Sequence, residues 1–205
     1  LTFDDIPLLG IRETPAEAQA VTRRLTRELQ ACHVPATGFV IGQKLEDHPR
    51  VRARILREWR AAGFVVGNHT WSHLSLNATE APAYIADIAR NDALLTATGA
   101  VKQGETRWFR HPYLETGQTE AKREAVEDWL AAHGYRIAPV TLENDDDIFA
   151  APYEDAVIRR DRRAARDILD RYLALTRARI AWYRAAAQAL FGRAPALVFL
   201  MHASA

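Results

Sequence analysis

Short apolar runs alternate along the chain with longer segments in which apolar residues recur every three or four positions. Short runs closed by Gly, Pro, Asn or Asp are typical of buried strands. The segment 15–31 instead has Val21, Leu25 and Leu29 on one face, and Thr14 before it is suited to cap a helix. The predicted strands are 1–3, 38–41, 64–66, 107–109, 135–142 and 196–201. The predicted helices are 15–31, 49–62, 80–98, 119–133 and 155–191, the last of them broken once.

This alternation of strands and helices predicts a parallel sheet covered by helices, the α/β class. About six strands fit either an open doubly wound sheet or an incomplete (β/α) barrel. A length of 205 residues is suited to a single domain. The chain opens on Leu1 without an initiator Met and stops after an apolar run, so we expect a domain over 1–205 that is trimmed at both ends.

Composition excludes several classes of protein. Lys and Arg number 27 against 26 Asp and Glu, so the net charge of +1 gives no argument for nucleic acid or an anionic membrane. No apolar run reaches the ~18 residues of a membrane span. Cys32 is the only cysteine, which excludes a disulfide framework; its simplest interpretation is a small buried apolar group.

Polar side chains follow five of the predicted strands at the point where each strand ends. These clusters are Asp4-Asp5, His69 with His73, Arg110-His111-Pro112-Tyr113, Asp145-Asp146-Asp147, and His202. Because functional sites of parallel α/β proteins lie at the carboxyl ends of the strands, we expect the five clusters to meet on one face.

His69 and His73 are four positions apart, a spacing that would place both on one face of a helical turn, where they can share a metal ion. A strand-end aspartate supplies a carboxylate to the same ion, and its neighbour can contact water bound there. The alternatives are two unrelated surface histidines and, for the Asp pair, a helix cap or a turn.

The sequence resembles the polysaccharide deacetylases, the NodB-homology family or carbohydrate esterase family four. The resemblance rests on Leu1-Thr2-Phe3-Asp4-Asp5, Gly67-Asn68-His69-Thr70-Trp71-Ser72-His73, Arg110-His111-Pro112-Tyr113 and Leu200-Met201-His202, in that order. It implies a distorted, incomplete (β/α) barrel of about seven strands. It also implies hydrolytic removal of acetyl groups from an N-acetylated or O-acetylated sugar or polysaccharide, and export to the periplasm, the cell envelope or the medium.

The resemblance assigns roles to individual residues. Asp4 is the expected general base and Arg110 its partner, while the Tyr113 backbone N–H holds the oxyanion and substrate. His202 is the expected acid. Leu200 is expected to line the acetyl pocket, and Asp146 to tune the acid. One divalent metal is expected on Asp5, His69 and His73, with zinc as the default and cobalt or nickel as alternatives.

Two positions depart from the family pattern. Ile6 stands where the family usually has Gly, and Asp147 stands where a Trp usually follows the fourth-motif Asp, so one wall of the expected substrate groove lacks its usual aromatic side chain. Asp147 gives weight to one alternative, a hydrolase of another acyl group or non-peptide C–N bond on the same site. A second alternative is a non-catalytic carbohydrate-binding relative, which loss of a ligand or of the base would support, and none is lost here. A two-His-one-carboxylate iron oxygenase fits the metal ligands alone, but it gives Arg110, Tyr113 and His202 no purpose.

Overall fold

Six parallel strands form one sheet in residues 1–7, 14–46 and 48–202, the part of the chain that the computed structural model describes. The strands are β1 (Thr2–Ile6), β2 (Thr37–Val40), β3 (Val65–Asn68), β4 (Arg107–Phe109), β5 (Tyr135–Ile137) and β6 (Leu200–His202). Helices connect consecutive strands, so the predicted α/β class is confirmed.

The strand order distinguishes the two architectures that the sequence left open. It runs β5-β4-β3-β2-β1-β6, so the first five strands are sequential neighbours and the last lies beside the first. In a (β/α) barrel consecutive strands are neighbours and the last strand lies beside the first, as here, whereas the doubly wound order 3-2-1-4-5-6 changes direction in the middle of the sheet. An isolated parallel bridge from Leu142 to Phe199 continues the curve beyond β6. Six strands and this bridge correspond to the expected incomplete barrel of about seven strands.

Six α-helices accompany the strands in the described residues. They are α1 (Pro15–Ala31), α2 (Pro49–Ala61), α3 (Ala81–Ala97), α4 (Glu120–Ala132), α5 (Asp146–Ile158) and α6 (Arg162–Phe191). Helix α1 begins as predicted. The Thr14 hydroxyl accepts a hydrogen bond from the Glu17 N–H, and the Glu17 carboxylate accepts one from the Thr14 N–H. None of the described helices combines the length and the apolar character that crossing a membrane requires.

Two apolar clusters fasten the helices to the sheet. One contains Phe3, Leu56 and Trp59 and joins β1 to α2, and the other contains Tyr84, Phe109 and Leu130 and joins α3 and α4 to β4. Burial of such side chains stabilises by roughly 1.5–3 kcal/mol each. Both clusters hold the strands in the register that brings their carboxyl ends together.

The C-terminal helices depart from the sequence prediction. α5 begins at Asp146, nine residues before the predicted start of 155, and Pro152 lies inside it. The predicted break is confirmed, because the chain turns at Arg160, with φ of 58°, before α6. Trp182 is 61% exposed on α6, and Cys32, predicted to be buried, is also exposed. The prediction for Cys32 is wrong because this residue caps the C-terminal end of α1, where its side chain is exposed.

Candidate active site

The adjacent carboxylates of Asp4 and Asp5 on β1 both lie close to His69. Successive side chains of a regular strand point to opposite faces. Here the pairing of β1 with β2 is irregular between Phe3 and Ile6, and Asp5 has φ of 65°. As a result both carboxylates approach one imidazole: the His69 Nε2 lies 3.7 Å from an Asp4 oxygen and 3.5 Å from Asp5 Oδ1. Ile6, where the family usually has Gly, continues the strand and is buried in the core.

Asp5, His69 and His73 form the candidate metal centre. Their nearest ligand atoms lie within 4.8 Å of one another. Asp5 Oδ1 is 3.5 Å from the His69 Nε2 and 3.4 Å from the His73 Nε2. Ligands placed tetrahedrally at about 2.1 Å from a zinc ion lie roughly 3.4 Å apart, so these spacings are suited to such an ion.

The hydrogen bonds around His69 favour a cation at the centre. Its Nδ1 lies 2.8 Å from the Arg110 carbonyl oxygen, which can only accept, so the Nδ1 carries a proton. Burial lowers the pKa of His69 to about 3, so the ring is neutral and its Nε2 presents a lone pair. That lone pair faces Asp5 Oδ1, which is buried and has no hydrogen-bond partner among the described residues. A divalent cation between the two atoms would satisfy both.

The segment that carries the two histidines is a loop, so the predicted helical turn is wrong. Thr70 and His73 both have positive φ, 64° and 57°, which an α-helix does not allow. The loop is closed internally, since the Thr70 hydroxyl accepts from the His73 N–H at 3.0 Å. Asp87 of α3 ties it to the scaffold by accepting from the N–H and the hydroxyl of Ser72. These bonds bring the imidazole centroids to 4.9 Å without a helix.

Arg110 holds Asp4 in a buried ion pair. One guanidinium nitrogen lies 3.2 and 3.3 Å from the two Asp4 oxygens, and both side chains are almost fully buried. The other guanidinium nitrogens donate to the carbonyls of Ala138 and Pro139. These carbonyls follow β5, which ends at Ile137 rather than at the predicted 142 because Pro139 has no N–H for a ladder.

Asp4 holds its proton more tightly than an ordinary aspartate. Burial raises its pKa to about 6, although Arg110 acts in the opposite direction. The carboxylate is therefore ionised above about pH 6 and can accept a proton near neutrality.

His202 and Asp146 form a second pair beside the first. The His202 Nδ1 lies 2.9 Å from Asp146 Oδ1, and the His202 backbone N–H donates to Asp146 Oδ2. Burial alone would lower the pKa of His202, but Asp146 raises it above its ordinary value. In the register of β1 and β6, His202 is the direct partner of Asp4, so the two side chains emerge on the same side of the sheet.

The remaining predicted residues have different environments. Tyr113 has φ of 56°, is 64% exposed, and sets its ring against His73 with centroids 4.6 Å apart. Leu200 is buried two residues before His202. Asp147, in place of the usual Trp, is exposed on α5. His111 packs in the interior with its Nδ1 3.2 Å from the Tyr84 hydroxyl, so it does not line the cleft.

Lys44 is a site residue that the sequence reasoning missed. It lies in the 3-10 turn Gly42–Leu45 after β2, with its ammonium 3.7 Å from Asp5 Oδ2. Burial alone would raise the pKa of Asp5, but charged neighbours, Lys44 first among them, hold it below its usual range. The strand-end argument could have found Lys44, because the end of β2 was the one place where it was not applied.

The comparisons with known proteins agree with this architecture. The polysaccharide deacetylase family model matches residues 1–138, about two thirds of the sequence. The chain belongs to the polysaccharide deacetylase family. All the predicted metal ligands of this family member lie within the matched residues, whereas α5, α6 and His202 lie beyond them.

Curated relatives of this family member are named deacetylases. The peptidoglycan-N-acetylglucosamine deacetylase of Bacillus cereus is 27% identical over 146 residues, which are 71% of this chain and 45% of that protein. Chitin deacetylase 2 of Saccharomyces cerevisiae is 33% identical over 112 residues, 55% of this chain and 29% of that protein. The chain thus spans less than half the length of these relatives.

Solved structures share the fold over nearly the whole chain. A family 4 carbohydrate esterase from Streptomyces lividans in complex with acetate has a TM-score of 0.58 at 21% identity, covering 98% of this chain and 77% of that one. A family 4 acetyl xylan esterase from Clostridium thermocellum, holding a cobalt ion, has a TM-score of 0.56 at 21% identity, covering 98% and 72%. A family pseudoenzyme from Bacillus anthracis has a TM-score of 0.61 at 15% identity, covering 100% and 55%. At these identities the likeness establishes the fold alone.

Proposed function

We propose that this protein is a metal-dependent hydrolase that removes acetyl groups from an N-acetylated sugar or polysaccharide. The observation that carries the proposal is the meeting of three groups at one end of the sheet. These are the buried Asp4–Arg110 pair, the Asp5–His69–His73 triangle and the His202–Asp146 pair. Amide hydrolysis needs a base, an electrophilic centre and an acid, and the three groups supply one each.

Asp5, His69 and His73 would hold the divalent metal, for which zinc is the proposed identity, with cobalt or nickel as alternatives. A metal there supplies Lewis acidity, which favours deprotonation of water and polarises an acyl carbonyl. Asp4 accepts the proton of the attacking water, because it is ionised above about pH 6 and lies 3.7 Å from the same His69 nitrogen that faces Asp5.

His202 donates a proton to the departing nitrogen. Asp146 occupies its Nδ1, which leaves the Nε2 as the donor toward the substrate. The raised pKa of His202 keeps it protonated closer to neutral pH. The Tyr113 N–H is the proposed oxyanion donor and Leu200 the proposed wall of the acetyl pocket. Both assignments come from family resemblance.

The substrate class and the location also belong to the proposal. Relatives act, by their names, on peptidoglycan and chitin, which supports an acetylated glycan as substrate and an exported protein. The pairing of β1 with β6, the first and last strands, supports one catalytic domain over 1–205.

The test is acetate release from chito-oligosaccharides, peptidoglycan and acetylated xylan, with and without a chelator. We expect chelator-sensitive release from one of them, restored by zinc or cobalt and absent in Asp4→Asn. Asp87→Asn is the control for general disturbance of the loop that carries His69 and His73, because it alters a hydrogen bond to Ser72 that lies outside the reacting groups.

Two alternatives give different results in the same assay. A hydrolase of another acyl group would bind metal and release no acetate from any glycan. A non-catalytic carbohydrate-binding relative would bind glycan and release nothing from any acylated substrate, and a pseudoenzyme does occur among the solved structures with this fold.

A further inference from the structure

A pocket lies between α5 and α6, directly beside His202. Its volume is about 170 Å³, and Asp146 and His202 form one of its walls. α5 contributes Phe149, Ala150 and Tyr153, which with Asp146 follow the i, i+3, i+4, i+7 spacing of one helix face. The facing residues of α6 are Ile168, Leu169 and Tyr172.

The lining favours a hydrocarbon group over a sugar ring. Both oxygens of Asp146 are engaged by His202, and the Tyr172 hydroxyl accepts a hydrogen bond from the Asn144 amide at 2.9 Å. A sugar ring carries hydroxyls on most of its carbons, and burying them without partners costs free energy. Phe149 and Tyr172 set their rings 5.6 Å apart, and together with the aliphatic side chains they offer mainly apolar contact.

The position of the pocket indicates which part of a substrate reaches it. A general acid must lie within hydrogen-bond distance of the atom that it protonates. In the proposed function, His202 protonates the leaving nitrogen. A group that fills the space beside His202 is therefore attached on the leaving side of the scissile bond, and the acetyl group lies toward Asp4 and the metal ligands.

We propose that this pocket is a specificity subsite for an apolar group, aryl or alkyl, carried next to the acetylated nitrogen on the leaving side of the substrate. The proposal rests on the proposed function for its orientation. Among acetylated amino sugars, the preferred substrate is therefore one that carries an apolar substituent on the leaving side.

The experiment compares the benzyl and methyl glycosides of N-acetylglucosamine, because the substituent changes while the acetamide does not. In the unaltered protein we expect kcat/KM for the benzyl glycoside to exceed that for the methyl glycoside about tenfold or more, as burial of an aromatic ring predicts. Ala150→Phe fills the pocket and should reduce this ratio to near one. Ala151→Phe, one residue along α5 and exposed, should leave the ratio unchanged.

Three results would overturn the subsite. The first two are a benzyl-to-methyl ratio of kcat/KM near one in the unaltered protein and a high ratio that persists in Ala150→Phe. The third is a preference for N-hexanoyl over N-acetyl substrates that Ala150→Phe abolishes. The last result would assign the pocket to the acyl side. If neither glycoside releases acetate, calorimetry with the benzyl and methyl glycosides of glucosamine tests the pocket instead, and the proposed function fails only if chito-oligosaccharides, peptidoglycan and acetylated xylan release none either. Tighter binding of the benzyl compound, lost in Ala150→Phe only, supports an apolar subsite without catalysis, and equal binding refutes it.

Discussion

The Arg110→Met variant tests how the proposed base is kept ionised. Arg110 lies 3.2 Å from Asp4, and at an effective dielectric constant near 20 two unit charges at this distance attract by about 5 kcal/mol before other costs. Measured carboxylates beside an arginine have pKa values lowered by about 1–3 units. Burial already raises the pKa of Asp4 to about 6, so loss of the guanidinium must raise it further.

Because only ionised Asp4 can accept a proton, the acid limb of the pH–rate profile should move upward by about 1–3 units in Arg110→Met. On the acid side of this limb kcat/KM should fall about 10- to 1000-fold, and it should recover as the pH is raised. The assay is kcat/KM against pH at saturating metal, with thermal unfolding of each variant. Arg110→Lys keeps the charge and should keep the limb near that of the unaltered protein. A folded Arg110→Met variant whose acid limb does not move would refute the assignment of Asp4 as base.

Three further predictions concern the surroundings of the site. Lys44→Gln removes a positive charge 3.7 Å from Asp5, so a divalent metal should bind about tenfold more tightly in a chelator competition. Lys44→Arg keeps the charge and should bind the metal as before. Weaker binding in Lys44→Gln would contradict this prediction. Asn91→Ala removes two buried hydrogen bonds, of 2.7 and 2.8 Å, and should cost about 2–3 kcal/mol of unfolding free energy in urea; a loss under 0.5 kcal/mol would be inconsistent with it. Gly38→Ala places a Cβ 2.4 Å from Ile6 Cδ1, so Tm should fall by about 3–10 °C, and an unchanged Tm would mean that Ile6 moves freely.

The sequence predicted the sheet and most helices because their signals are local. Thr14 and the following proline define the start of α1, and short apolar runs mark β2, β3 and β4. The barrel order could not be derived from these signals, since it depends on β6 lying beside β1, which are almost 200 residues apart. The barrel was expected only from the family resemblance.

The sequence predicted which residues form the candidate site, but it did not predict their backbone conformation. The strand-end argument assembled Asp4, Asp5, His69 and His73, and the structure brings them together. The conformation of the histidine loop was missed because spacing of four suits a helix and a closed loop equally. The bonds that decide between them come from Asp87 on another element. The start of α5 was missed because Pro152 favours a break in sequence.

The most direct test of the account starts from protein that has been freed of metal with a chelator. Cobalt is then titrated in, and bound metal and acetate release are measured together. The account predicts one bound ion per chain, a rate that saturates at one equivalent, and the loss of both signals in His73→Ala. Acetate release that persists without metal, or one-to-one binding that is unchanged in His73→Ala, would contradict the assignment of Asp5, His69 and His73 as the centre of this site.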